Sequence, residues 1–125
     1  MTDPIDLWDA YDRLLDRCPL TIDRPKGTAH PHLQGIAYPL DYGFLQRTTS
    51  ADGDGIDVWR GSNADPHLVA LVVTVDLMKR DSEVKLLLGC TVDEVASIVA
   101  FHNASDTLRA QVIWRSEERL DRVAL

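Results

Sequence analysis

Residues 67–77 read HLVALVVTVDL, an almost unbroken run of apolar side chains rich in Val. Successive side chains of a strand point to opposite faces, so a run like this belongs to a strand buried on both sides. It needs partners along both edges and cover above and below. The rest of the chain must therefore be layered around it.

The elements that supply those layers lie on either side. After the polar turn MKRDS, residues Glu83 to Cys90 (EVKLLLGC) form the antiparallel partner of a hairpin. Thr91-Val92-Asp93-Glu94 is a capping box, and Val95, Ile98 and Val99 share one helical face behind it, which predicts a helix running to about Asn103. QVIWR, residues 111–115, is a final short strand before a charged tail. At the other end, Asp3 is placed as an N-cap and Pro4 at the first helical position. Ile5, Leu7, Trp8, Tyr11, Leu14 and Leu15 follow at helical spacing, so residues 4–17 are expected to be an amphipathic helix. Pro19 and Pro25 bracket a β-prone segment, Leu20 to Arg24. From there to about residue 66 the chain is rich in Gly, Pro, His and Asp, as in brief strands joined by functional loops.

The expected class is α+β: a small β-barrel or curved antiparallel sheet with an N-terminal helix and a C-terminal helix. With 125 residues, 45% of them apolar, the chain suits one domain over residues 1–125. The helix would occupy residues 1–18, and the barrel residues 19–115 with its own helix near 92–103.

Charge narrows the function classes. Twenty acidic residues against 13 Lys and Arg give a net charge of -7, which argues against a nucleic-acid surface. The longest apolar run, Leu68 to Val73, is too short to span a bilayer, and no charged-then-apolar leader opens the chain, so a cytoplasmic protein without a membrane partner is expected. Cys18 and Cys90 have no partners at zinc spacing and are given no chemistry.

The stretch ADGDGID, residues 51–57, places Asp52, Asp54 and Asp57 around two glycines. Asp and Gly are turn formers, and a surface turn is one reading. The other is a hard-cation site, because closely spaced carboxylates repel unless protons or a divalent metal offset their charge. An EF-hand is excluded, since the sixth-position Gly and the twelfth-position Glu are both missing. Asp52 and Asp54 share one parity along an extended chain and would point the same way.

Tyr38-Pro39-Leu40-Asp41-Tyr42-Gly43, followed by Asp52-Gly53-Asp54-Gly55-Ile56-Asp57 and preceded by Ile22-Asp23-Arg24-Pro25, resembles the signature of the soluble family I inorganic pyrophosphatases. That signature is a YPxxYG segment followed by D-x-D-P-x-D, and the match is to a short, compact branch. The resemblance implies an OB-like β-barrel with flanking helices. It also implies Mg2+-dependent hydrolysis of pyrophosphate to two phosphates by a metal-activated water, with Mn2+ possible in place of Mg2+. Asp52 and Asp57 would be metal ligands, Asp54 would orient or deprotonate the water, Tyr42 would bond near it and Tyr38 would line the pocket.

In Asp81-Ser82-Glu83-Val84-Lys85, alternate residues of a strand face one way. By the resemblance, Asp81 and Glu83 would be further metal ligands and Lys85 a phosphate contact. Asp23 stands where the family has a Glu and would reach a metal through another ligand or through a water. The family's Tyr-Lys pair on the C-terminal helix has no counterpart in Phe101-His102-Asn103, and the segment between Pro25 and Tyr38 is shorter than the family's. Arg24, Lys26, His30, His32 and Arg47 are therefore the candidate substitutes for its phosphate-binding cations; for His30 and His32 a polar loop held by Pro31 is an equal alternative, and for Arg47 a solvated strand residue. Homo-oligomers are implied as well, with Trp114 a candidate interface residue. Two further readings stay open: a hydrolase of a larger diphosphate or nucleotide, and a non-catalytic Mg2+/phosphate-binding module.

Overall fold

The structure, a computed structural model, describes residues 4–115. Its elements, in order, are α1 (Leu7–Arg17), β1 (Leu20–Arg24), β2 (Asp41–Leu45), β3 (Asp57–Arg60), β4 (Leu68–Asp76), β5 (Asp81–Leu88), α2 (Val92–His102) and β6 (Leu108–Trp114). The six strands form one sheet in the order β1-β2-β3-β5-β4-β6. Every neighbouring pair is antiparallel except β3 and β5, which run parallel, with Val58 opposite Leu86 and Trp59 opposite Leu87. The α+β class holds, and the expected antiparallel sheet is corrected at this one pair.

The apolar run HLVALVVTVDL forms the central strand β4, between β5 and β6. Leu68 to Val72 are buried, whereas Val75 near the far end of the strand is 47% exposed. One helix covers each face of the sheet over only part of its length. On one side Trp8, Tyr11, Leu14 and Leu15 of α1 pack over Leu45, Val58, Leu68, Leu71, Leu86 and Leu88. On the other, Val95 and Ile98 of α2 pack over Trp59, Val69, Ala70, Val72 and Leu87. Burial of a side chain such as Trp59, fully enclosed here, stabilises by roughly 3 kcal/mol.

The first helix starts later than expected. Asp6, not Asp3, caps it: its side chain accepts the N–H of Asp9 at 2.7 Å, and Pro4 precedes the helix. Asp3 and the charged tail lie outside the described residues. The capping box of α2 forms as read, with Thr91 Oγ1 accepting the Glu94 N–H and the Glu94 carboxylate accepting the Thr91 N–H. The last strand is longer than QVIWR because Leu108 to Ala110 continue its pairing with β4. Trp114 packs into the core under α2.

Arg115 ties the end of β6 to α1. Its guanidinium donates to both carboxylate oxygens of Asp12, at 2.9 and 2.5 Å, and lies over the ring of Trp8. Gly43 is required by a close approach: a Cβ there would stand 1.8 Å from the Thr21 carbonyl oxygen on β1. No helix among the described residues is long and apolar enough to cross a membrane.

Candidate active site

Strand register builds the site. Trp59, Leu87, Ala70 and Val72 lie on the α2 face of the sheet, and pairing places Lys85 beside Val72, Glu83 beside Thr74 and Asp81 beside Asp76 on that same face. The alternation therefore continues past the edge of α2 with polar residues instead of apolar ones. Where the helix stops covering the sheet, an open cleft of about 870 Å3 begins.

Lys85 is the centre of its floor. The ammonium donates to Tyr42 Oη at 2.8 Å, to Asp57 Oδ2 at 2.8 Å and to Glu83 Oε2 at 2.9 Å, so all three protons are placed. Desolvation works against the charge, but the Tyr42, Asp57 and Glu83 oxygens outweigh it and hold the lysine protonated well above its ordinary range. Burial pushes the Tyr42 hydroxyl up as well, so it stays a neutral phenol. The result is one buried cation clamped by two carboxylates and a phenol from β2, β3 and β5.

The loop 50–54 borders the cleft through Asp52 and Asp54. Ser50 N–H donates to the Asp54 carbonyl at 2.7 Å, and the Gly53 N–H to the Ser50 carbonyl at 3.0 Å. Asp52 Oδ1 accepts the Asp54 N–H at 2.9 Å and the Ser50 hydroxyl, and these bonds hold the Asp52 carboxyl below the usual range, with Glu83 contributing in the same direction. This corrects the expectation that Asp52 and Asp54 align by extended-chain parity. Gly53, at φ +90°, breaks the extended run, and a tight turn brings both to the cleft.

Tyr42, Asp52, Asp54, Asp57, Asp81, Glu83 and Lys85 all line the cleft, as do Asp23, Arg24, Tyr38, His30 and His32. Arg24 Nη1 donates to the Tyr38 hydroxyl, and its guanidinium lies over the Tyr38 ring. Two candidates stand elsewhere. Lys26 is exposed beyond the cleft and donates its backbone N–H to Asp41 Oδ1 at 2.8 Å. Arg47, at φ +60°, reaches back to the Arg17 carbonyl at 3.0 Å. Cys90 is buried and its thiol is pushed up to about 12, mainly by desolvation, which leaves it unreactive.

No protein-family model matches this chain, and no curated protein matches it in sequence. Solved structures do. It superimposes on the inorganic pyrophosphatase of Helicobacter pylori with a TM-score of 0.57 and 15% identity, over 85% of this chain and 89% of that one. A pyrophosphatase from Coxiella burnetii gives a TM-score of 0.57 at 15% identity over 83% and 93%. An inorganic phosphatase from Anaplasma phagocytophilum gives 0.55 at 15% over 76% and 81%. The chain has the fold of the bacterial inorganic pyrophosphatases.

Within this pyrophosphatase fold, the cleft lining includes seven carboxylates, Asp23, Asp52, Asp54, Asp57, Asp76, Asp81 and Glu83, against three cationic side chains, Arg24, Lys79 and Lys85. A polyanion would be repelled from such a lining unless cations entered with it. All these donors are hard oxygens, the chemistry Mg2+ prefers. Among the described residues no three acidic, His or Cys side chains are gathered tightly enough to hold an ion alone. Oxygen donors of this kind suit a cation that keeps several of its own waters.

Sequence reasoning missed part of the lining. Thr74 and Asp76 belong to it by strand parity, a signal present in HLVALVVTVDL once the register with β5 is known. Phe101 and His102, at the C-terminal end of α2, border the cleft where the helix ends.

Proposed function

We propose that this chain hydrolyses pyrophosphate to two phosphates with the aid of Mg2+. The observation that carries the reading is the Lys85 clamp, with Tyr42, Asp57 and Glu83, set in a carboxylate-lined cleft of a pyrophosphatase fold. Asp52, Asp57, Asp81 and Glu83 would hold Mg2+, and Mn2+ would suit the same oxygen donors. When bound, the ion neutralises phosphate charge and lowers the pKa of a water. Asp54, exposed at the rim, orients the attacking water and takes its proton. The water oxygen bonds to one phosphorus while the bridging P–O bond breaks and the second phosphate leaves. Lys85 supplies a fixed positive charge, and Arg24, steadied by Tyr38, a second one toward the phosphoryl oxygens. Lys26 and Arg47 take no part.

Phosphate release from pyrophosphate with Mg2+, compared between this protein and Asp54→Asn, tests the reading. Activity lost in the variant supports it. Absence of activity in both, with Mg2+ and Mn2+ each tried, sinks it.

The lining of the cleft favours one second reading. Its lining also takes in Phe101, Ser105, Thr107 and Leu108, uncharged residues next to Asp76 that suit the organic part of a larger diphosphate. A panel of nucleoside diphosphates and diphosphate esters run beside pyrophosphate decides between them.

A further inference from the structure

Two histidines of the cleft have their tautomers set by the protein. His30 Nδ1 accepts the backbone N–H groups of His32 and Leu33, each at 2.9 Å, so the ring proton sits on Nε2. His102 Nε2 accepts the indole N–H of Trp59 at 3.1 Å, which leaves its proton on Nδ1. Neither of the remaining N–H groups has a partner among the described residues, and neither is sealed from solvent. His102 as a whole is only 8% exposed, so little solvent reaches this donor.

The two rings flank Phe101, with centroids 5.5 and 5.4 Å from it, and both line the cleft. His30 also stacks on Tyr38, the residue that holds Arg24. We propose that His30 Nε2–H and His102 Nδ1–H are a paired donor site for phosphoryl oxygens of the substrate, beside Phe101. Desolvation, together with Arg24 and His32 for His30 and with Lys85 for His102, keeps both rings uncharged. They bind oxygen by direction rather than by charge, and this supplements a cleft short of cations. The inference rests on the phosphate-binding part of the proposed function, not on turnover.

The test uses the full chain labelled with 15N-histidine, with ring nitrogens read through the ring carbon protons during titration with inorganic phosphate and Mg2+. His30→Asn places an amide oxygen where Nδ1 accepts, and His102→Gln places one where Nε2 accepts. Each removes the free imidazole donor while preserving the structural bond. Phosphate is expected to shift the donor nitrogens of His30 and His102 and to leave His67 unmoved. Each variant should weaken phosphate binding by about three- to tenfold. Binding that shifts neither nitrogen, affinity unchanged in both variants, or no phosphate binding at all would overturn the proposal. Because the titration uses the unmutated protein, a variant that folds poorly does not remove the test. Phosphate that shifts both nitrogens while pyrophosphate stays intact upholds this site and overturns the hydrolytic reading.

Discussion

Lys85 Nζ lies 2.8 Å from Asp57 Oδ2, so the parallel strands β5 and β3 are joined at the cleft by a charge pair as well as by their backbones. Replacing Lys85 with Met leaves Asp57 and Glu83 facing the same small space without their shared counter-ion. Their side chains keep 27% and 23% of their surface exposed, so the expected loss is about 3 kcal/mol, the lower end for a broken buried pair. Urea unfolding measures it. Pyrophosphate turnover should fall by about a hundredfold or more in the same variant.

Mg2+ should stabilise the fold as well as support turnover. The cleft carboxylates repel one another in the free protein, and an ion that binds only the folded state raises the melting temperature by mass action. That gain approaches about 2.7 kcal/mol at a hundred times the dissociation constant. Asp52→Asn should shrink the Mg2+-dependent rise, and chelation should abolish turnover reversibly. A melting curve indifferent to Mg2+ would count against the metal assignment.

His102 makes stability depend on pH. Burial, with the Lys85 charge adding to it and Asp57 partly opposing it, pushes the imidazole down to about 3, whereas the unfolded ring titrates near 6.5. Between those values the unfolded chain binds a proton that the folded chain refuses. Stability is therefore full above about pH 6.5 and declines as the pH falls toward 3, by up to about 1.4 kcal/mol per pH unit. His102→Gln should flatten that slope by about one proton in denaturant titrations across the range.

Gly43→Ala is expected to destabilise by about 3 kcal/mol. The added methyl would meet the Thr21 and Ile22 backbone, and β1 cannot withdraw without losing its pairing to β2. Thermal melting reads the loss.

Asp12→Asn should loosen α1. Arg115 is 3% exposed, and its charge would lose its bidentate partner while staying buried, at a cost of about 2–4 kcal/mol. Trp8, under the guanidinium, offers a fluorescence signal for the change.

Most strands and both helices were legible because their signals are local. The apolar run of β4, the alternation of Asp81, Glu83 and Lys85, and the Thr91–Glu94 box each declare themselves within a few residues. The parallel pairing of β3 with β5 was not legible, since nothing within either strand specifies which distant edge it meets. The helix start was misplaced by three residues because Asp3 and Asp6 carry the same capping chemistry, and the proline tipped the choice. Tyr38, Tyr42, Asp52, Asp54, Asp57, Asp81, Glu83 and Lys85 were named from motif and spacing, whereas Thr74 and Asp76 were not. Arg47 and Lys26 were not separable from them, because a loop cation carries no sequence mark of the direction in which it points. Phe101 and His102 were set aside because they do not reproduce the family's Tyr-Lys pair, and their place at the cleft depends on where α2 ends above the sheet.

Because, among the described residues, β3 and β5 are the only strand-to-strand join between the β1-β2-β3 half of the sheet and the β5-β4-β6 half, the Lys85 clamp straddles a seam. Each half is otherwise laced by its own antiparallel ladders. Slippage along that seam would pull Tyr42 and Asp57 away from Lys85 while both ladders stayed intact. Under rising denaturant, competence at the cleft is thus expected to vanish before the circular dichroism of the strands does, making catalysis the most sensitive gauge of whether the two halves are docked.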